Sequence, residues 1–280
     1  MINPLLSRGA ALLAAAFVVS ACSALPGEPE PIESKSAREI FDMAQGQLQD
    51  GNQLQAAQTY NEIERLYPFS QLAKRAIIMS AYSSYEGRDY AAARASARRY
   101  IDLYPSDVDA PYAQYLIALT YYDNIVDVGR DQGTTQNALR ELREVTTRYP
   151  RSDFAREADL KIDLTNDHLA GKEMSVGRYY LKRGHYTAAI NRFRVVVDKY
   201  QTTSQTPEAL HRLVEAYLAL GLEGEAVAAA AVLGNNFPGS NWYANSYELL
   251  TGRNLLPEDE RASDGFFSRV YRRVIQGKWL

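Results

Sequence analysis

The sequence predicts an all-α fold, an α-solenoid of about five stacked helix-turn-helix repeats. One apolar pattern at helical spacing recurs five times, a glycine precedes most copies, and a helix-stopping residue follows each. In every copy a small residue is followed four positions later by an apolar or small one, seven later by a large apolar one, and twelve later by the stop. The copies are Ala56/Tyr60/Ile63/Pro68, Ala93/Ala97/Tyr100/Pro105, Ala138/Leu142/Val145/Pro150, Ala189/Phe193/Val196/Gln201 and Ala226/Ala230/Leu233/Pro238. Steps of four and three bring these side chains onto one helical face. Each copy therefore encodes a helix that packs one stripe and then ends.

Upstream of each small residue lies a further helical stretch. Gly51, Gly87, Gly184 and Gly221 stand just before the second helix of their units, where a left-handed cap conformation suits glycine. The spacing resembles that of tetratricopeptide (TPR) repeats, whose period is about 34 residues. The steps here are 37, 45, 51 and 37, so the turns are longer than the consensus and two units carry insertions. The first excess, Asn124 to Gln136, holds Gly129, Gly133, Asp127, Arg130 and Asp131 and reads as a surface loop. The second, Ser152 to Lys182, keeps helical periodicity almost throughout and predicts a long helix between the first three units (residues 37–150) and the last two (151–240). Units of this kind bury their faces on one another and are expected to present an extended concave wall to peptides or helices of partners. The 20 tyrosines fit core and turn-packing positions, or a binding groove.

The amino terminus (1–21) reads as a secretion signal. Arg8 and the free amine precede an apolar run from Ala10 to Val19, about ten residues where a bilayer span needs about 20. Val19-Ser20-Ala21-Cys22 follows and is similar to the lipobox of bacterial lipoproteins, which implies acylation of Cys22. The chain has no other cysteine, and a lone free thiol in an oxidising compartment would be a liability. Ser23, where enteric inner-membrane lipoproteins have aspartate, favours the outer membrane. Residues 22–36, with Pro26, Pro29 and Pro31, are expected to form an extended tether.

Loss of the signal leaves 30 basic against 34 acidic side chains, a balance unlike that of a nucleic-acid binder. His168, His185 and His211 stand in no metal-ligand spacing, and GxSxG, Walker and GxGxxG motifs are missing. The carboxylate pairs Asp107/Asp109 and Glu157/Asp159 lie two apart and cannot share a helical face. No catalytic residue, metal ligand or cofactor is expected, and protein binding is the function class that remains.

Several stretches go beyond the generic repeat: Gln47-Leu48-Gln49-Asp50-Gly51-Asn52, Arg65-Leu66-Tyr67-Pro68-Phe69-Ser70, Asp127-Val128-Gly129-Arg130-Asp131-Gln132, and Ser175-Val176-Gly177-Arg178-Tyr179-Tyr180 with Arg183-Gly184 and Asn191-Arg192. With the lipobox they resemble the BamD family of lipoproteins, from Cys22 to about Pro238. That resemblance implies a scaffold of the outer-membrane β-barrel assembly complex, lipid-anchored on the periplasmic face. Its partners would be the periplasmic domains of the central barrel subunit, the other lipoproteins of the complex, and unfolded outer-membrane clients. Carried over by position, Tyr67 and Phe69 would belong to the client-receiving end, and Tyr180 and Arg192 to the end facing the barrel subunit. Arg65 departs from the asparagine of some relatives. A packed core role for Tyr180 stays open, as does the alternative of a TPR envelope protein serving the cell wall or the Tol-Pal system.

The tail, residues 241–280, ends in Phe266-Phe267, Val270-Tyr271, Val274-Ile275 and Trp279, interspersed with Arg269, Arg272, Arg273 and Lys278 and no acid from Phe266 onward. A basic amphipathic helix suits docking on protein or contact with anionic lipid.

Overall fold

In the computed structural model, residues 31–255 are described. Among them the chain forms eleven α-helices and no strand: α1 (Ala37–Gln49), α2 (Gln53–Leu66), α3 (Gln71–Glu86), α4 (Tyr90–Leu103), α5 (Ala110–Tyr122), α6 (Gly133–Arg148), α7 (Asp153–Lys182), α8 (Tyr186–Lys199), α9 (Thr206–Ala219), α10 (Glu223–Asn236) and α11 (Asn241–Thr251). Signal, Cys22 and the tail beyond Leu255 lie outside the described residues. The chain divides into two compact units, one ending at Ala76 and one beginning at Ile77.

In the first unit α1 starts at Ser36, whose hydroxyl accepts the Glu39 N–H while the Glu39 carboxylate accepts the Ser36 N–H, so two orphan donors are satisfied at once. Its core is Ile40, Phe41 and Ala44 against Ala56, Tyr60 and Ile63, with Phe41 edge-on to Tyr60 at 5.2 Å. The expected tether is not extended at its end. Ile32–Ser34 forms a 3-10 turn, because Arg65 pairs with Glu33 (2.8 Å) and the Tyr67 hydroxyl donates to the Lys35 carbonyl (2.6 Å).

In the second unit consecutive helices pack in pairs, α5 on α6, α7 on α8 and α9 on α10. Each pair's second helix then packs on the first helix of the next, α6 on α7, α8 on α9 and α10 on α11. This is the TPR order of contacts, generated by the repeated stripe: all fifteen small and apolar residues of the pattern named above have no exposed surface. Pro111 and Pro207 sit in the first turns of α5 and α9, where a missing N–H costs nothing. Ser152 caps α7, Asp153 occupies its first turn and Lys182 its last, complementing the dipole of a 30-residue helix.

The turn chemistry differs from expectation at two places. Gly51, Gly184 and Gly221 adopt φ of +80°, +76° and +72°, but in the second helix pair Arg88, not Gly87, takes the left-handed position, at φ 59°. Gly87 donates to the Ser83 carbonyl in the last helical turn, so the reversal falls one residue later. The insertion is shorter than expected, because α6 already begins at Gly133. Asp127 and Asp131 each accept the N–H two residues on (2.7 and 3.0 Å), and Lys172 of α7 donates to the Gly129 carbonyl at 3.1 Å. The loop is therefore held against α7.

Three tyrosines of this unit donate to carboxylates: Tyr85 to Asp123 (2.5 Å), Tyr100 to Asp107 (2.6 Å) and Tyr115 to Glu157 (2.9 Å). Burial first, and then the neighbouring carboxylate, push all three phenols up, and burial raises Tyr112 to about 12. An unfolded tyrosine titrates near about 10, so above that pH the native state holds more protons than the unfolded one. Stability is expected to be intact below about pH 10 and to fall as pH rises toward 12. Thermal melts followed by circular dichroism at pH 8, 10 and 11.5 check this; a melting temperature unchanged at pH 11.5 contradicts it.

Candidate protein-interaction sites

Tyr67 closes α2 in a conformation (φ −133°, ψ 55°) that the second helix of every pair repeats. Tyr104, Tyr149, Tyr200 and Phe237 end α4, α6, α8 and α10 at φ between −128° and −135°, each donating its N–H to the last stripe residue. An aromatic residue before the stop is thus a further position of the repeat, which sequence reasoning passed over although Tyr-Pro occurs three times at this spacing. Tyr67 is half-buried and its hydroxyl is committed to Lys35, so its ring is a fixed part of the turn. Phe69, two residues on, is 100% exposed. A whole aromatic ring in water on a turn locked by Tyr67 and by the Arg65 ion pairs is a preorganised apolar contact.

Tyr180 lies near the end of α7. Its carbonyl accepts the His185 N–H (3.0 Å), and its ring is partly buried against the core formed by Phe193, Val196, Leu213 and Val214. Tyr179 packs edge-on to it at 5.6 Å, is 52% exposed, and carries the Arg183 guanidinium over its face at 4.4 Å. Arg192, on α8, is exposed and pairs with Glu173 of α7 at 3.1 Å. The structure thus gives Tyr180 a packing role and leaves Tyr179, Arg183 and Arg192 facing solvent. Tyr67 and Phe69 lie in the first unit, Tyr180 and Arg192 in the second.

Gly177, in the same stretch of α7, is a close-packing position. It is buried in α7, and a Cβ there would stand 2.8 and 2.9 Å from two ring carbons of Phe193 and closer still to a third. Gly177 therefore sets how near α8, through Phe193, approaches α7.

A polar network crosses the last helices. Arg178 pairs with Glu208 (2.9 Å), Glu208 with Arg212 (3.3 Å) and Arg212 with Glu215 (2.8 Å). His211 meets Ser246 at 2.8 Å and Glu215 at 3.6 Å, with Trp242 against its ring. Burial works to raise the Glu215 carboxyl, but hydrogen bonds from His211 and Arg212 outweigh it and hold it below the usual range. Serine, histidine and glutamate in line suggest acyl-transfer chemistry, yet Ser246 has no exposed surface for a substrate to reach. The trio is a polar peg joining α9 to α11. Among the described residues no cluster of His, Cys, Asp and Glu could hold a metal, and no helix is long and apolar enough to cross a membrane.

The family model YfiO, outer membrane lipoprotein, matches residues 33–233. The chain is 44% identical over 274 residues to an outer membrane protein assembly factor BamD of Caulobacter vibrioides, covering 98% of this chain and 89% of the relative. It is 45% identical over 195 residues to that of Rickettsia prowazekii, covering 70% of this chain and 78% of the relative. To that of a Neisseria meningitidis strain it is 30% identical over 223 residues, covering 76% and 84%. Among solved structures, the TPR2AB-domain:pHSP90 complex of yeast Sti1 aligns with 86% of this chain and 98% of that one, at a TM-score of 0.39 and 14% identity.

Proposed function

The chain belongs to the BamD family of outer membrane protein assembly factors, and on that premise we propose that it is the lipid-anchored scaffold of a β-barrel assembly complex. Its role lies in outer membrane protein assembly. In this reading Cys22 carries the acyl anchor, and the helix pairs stand on the periplasmic face of the outer membrane. The end bearing Tyr180 and Arg192 holds the periplasmic domains of the central barrel subunit, beside the other lipoproteins of the complex. The turn bearing Tyr67 and Phe69 receives segments of unfolded outer-membrane proteins.

The observation that carries the client half is Phe69, wholly exposed on a turn whose neighbours are all fixed. An isolated apolar ring gains on being covered, and a rigid turn loses little entropy when that happens. For the barrel-subunit half, the Arg183 guanidinium stacked on the exposed ring of Tyr179 sets a cation beside an aromatic face, a combination common at binding hot spots, and Arg192 adds an exposed cation paired with Glu173.

Two measurements test the reading. Detergent-solubilised, tagged full-length protein is expected to recover a large β-barrel protein with periplasmic repeat domains, identified by mass spectrometry; recovery of Tol-Pal or wall-synthesis proteins alone overturns the proposal. Phe69→Ser is expected to weaken binding of a peptide copying the C-terminal strand of an outer-membrane barrel by about tenfold or more, for roughly 1.5–3 kcal/mol of lost burial. The melting temperature should not move, because the ring contributes no contact to the fold. Unchanged affinity in that variant removes Phe69 from the site.

A further inference from the structure

α7 serves two packing neighbourhoods in succession. Its first half gives Phe154, Ala158 and Ile162 to a core shared with Tyr115 and Ala118 of α5 and Leu142 and Val145 of α6. Its second half gives Ala170, Met174 and Leu181 to the core of α8, α9 and α10. The first helices α5 and α9 each pack between the second helix of the preceding pair and that of their own. α7 has 30 residues and α8 only 14, and among the described residues no side chain of α7 before Ala170 belongs to that later core. The chain leading into α9 meets α7 at Asp167, which accepts the Ser204 N–H (2.9 Å) and hydroxyl (2.6 Å). The stretch 153–166 is therefore packed on one side alone.

Leu160 and Leu164 stand on its other side. Two residues on from Ala158 and Ile162, they fall across the helix from that core, one turn apart, and are 68% and 60% exposed. Three positions away lie acids: Glu157 and Asp163 on either side of Leu160, and Asp167 after Leu164. Asp163 forms no ion pair among the described residues. The nearby cations are engaged, Arg156 with Asp153 and Lys161 over the Tyr122 ring at 4.5 Å.

We propose that this face docks an amphipathic helix of another protein, about four turns long, whose apolar stripe is flanked by lysines or arginines. Two leucines one turn apart form a ridge that seats between the side chains of a facing helix. Fourteen helical residues extend about 21 Å, which sets the length of the partner helix. The carboxylates around the leucines attract cations at the rim of such a contact. They also disfavour a second copy of this face, which would bring the same acids, and an anionic lipid surface. Leu164 and Tyr180 are about 24 Å apart along α7, so the face is separate from the end assigned to the barrel subunit.

The test uses the full-length protein in the cells that make it. A photo-crosslinking residue in place of Leu164 is expected to capture another protein. Digestion and mass spectrometry should place the link in a segment with apolar residues three and four apart and cations between them. L160Q is expected to lower the yield by about tenfold, for the lost burial of one leucine, and D163K by about threefold. The melting temperature should not move in either variant, because both side chains lie in water. Capture of a second copy of this chain, of lipid, or of an acidic or extended segment overturns the proposal. So does the absence of any crosslink, or a yield that both variants leave unaltered. The assembly role rests on Tyr67, Phe69, Tyr180 and Arg192, so a failure here leaves that reading standing.

Discussion

Replacing Phe193 by alanine is expected to destabilise the second unit by about 3–5 kcal/mol, the range for deleting a fully buried aromatic ring. That corresponds to a fall in melting temperature of roughly 10 °C for a unit of this size. The ring has no exposed surface and lies between Gly177 of α7 and the core of α8 and α9, among Ala170, Met174, Val196, Ala209 and Leu213. The companion variant Gly177→Ala distinguishes close packing from ordinary helix propensity. On an open helical face alanine would stabilise by about 1 kcal/mol relative to glycine. Here its Cβ would press on three ring carbons of Phe193, so a loss of about 1–3 kcal/mol is expected instead. With Phe193 also truncated the added methyl has room, and G177A/F193A should be less destabilised than the sum of the two single variants. Calorimetric melts of the four proteins complete the cycle. Additive losses, or a stabilising Gly177→Ala, would show that the two residues do not meet as described.

Replacing Cys22 by serine is expected to move the protein entirely from the outer-membrane fraction to the soluble periplasmic one. Each buried acyl CH₂ contributes about 0.8 kcal/mol, and two chains already anchor stably, so a fully acylated terminus holds the protein on the membrane and its loss abolishes that hold. No helix among the described residues could take over by spanning the bilayer. Fractionation followed by immunoblotting, with intact mass measured on the wild type, checks both the relocation and the acyl chains. A serine variant that still sediments with the membrane after a high-salt wash, together with an unmodified wild-type mass, would remove the lipid anchor from the proposal.

The stripe of each repeat was readable because burial on a helix imposes a period, and a period survives in sequence without any knowledge of the partner surface. Ala56, Tyr60 and Ile63 announce their own burial, and the same holds in the other four copies. The long α7 was readable for the same reason. The turn at Arg88 was not, because one bound residue more or less in the last helical turn decides which residue takes positive φ, and glycine composition signals only that some residue nearby can. Tyr67 illustrates the limit for sites. The family resemblance placed it with Phe69 at the client-receiving end; in the structure its N–H goes to the Ile63 carbonyl and its hydroxyl to the Lys35 carbonyl some thirty residues upstream, so its ring is held in the turn while Phe69 stands exposed.

Local sequence was sufficient for the helical class and for the five buried stripes, because each depends on residues within a turn or two of one another. Which tyrosines are committed to carboxylates, why Gly177 must be glycine, and that Ser246 and His211 serve as a buried peg were decided only by packing between helices. Those facts depend on distances between atoms far apart along the chain, and such distances come into being only when the stripes find one another.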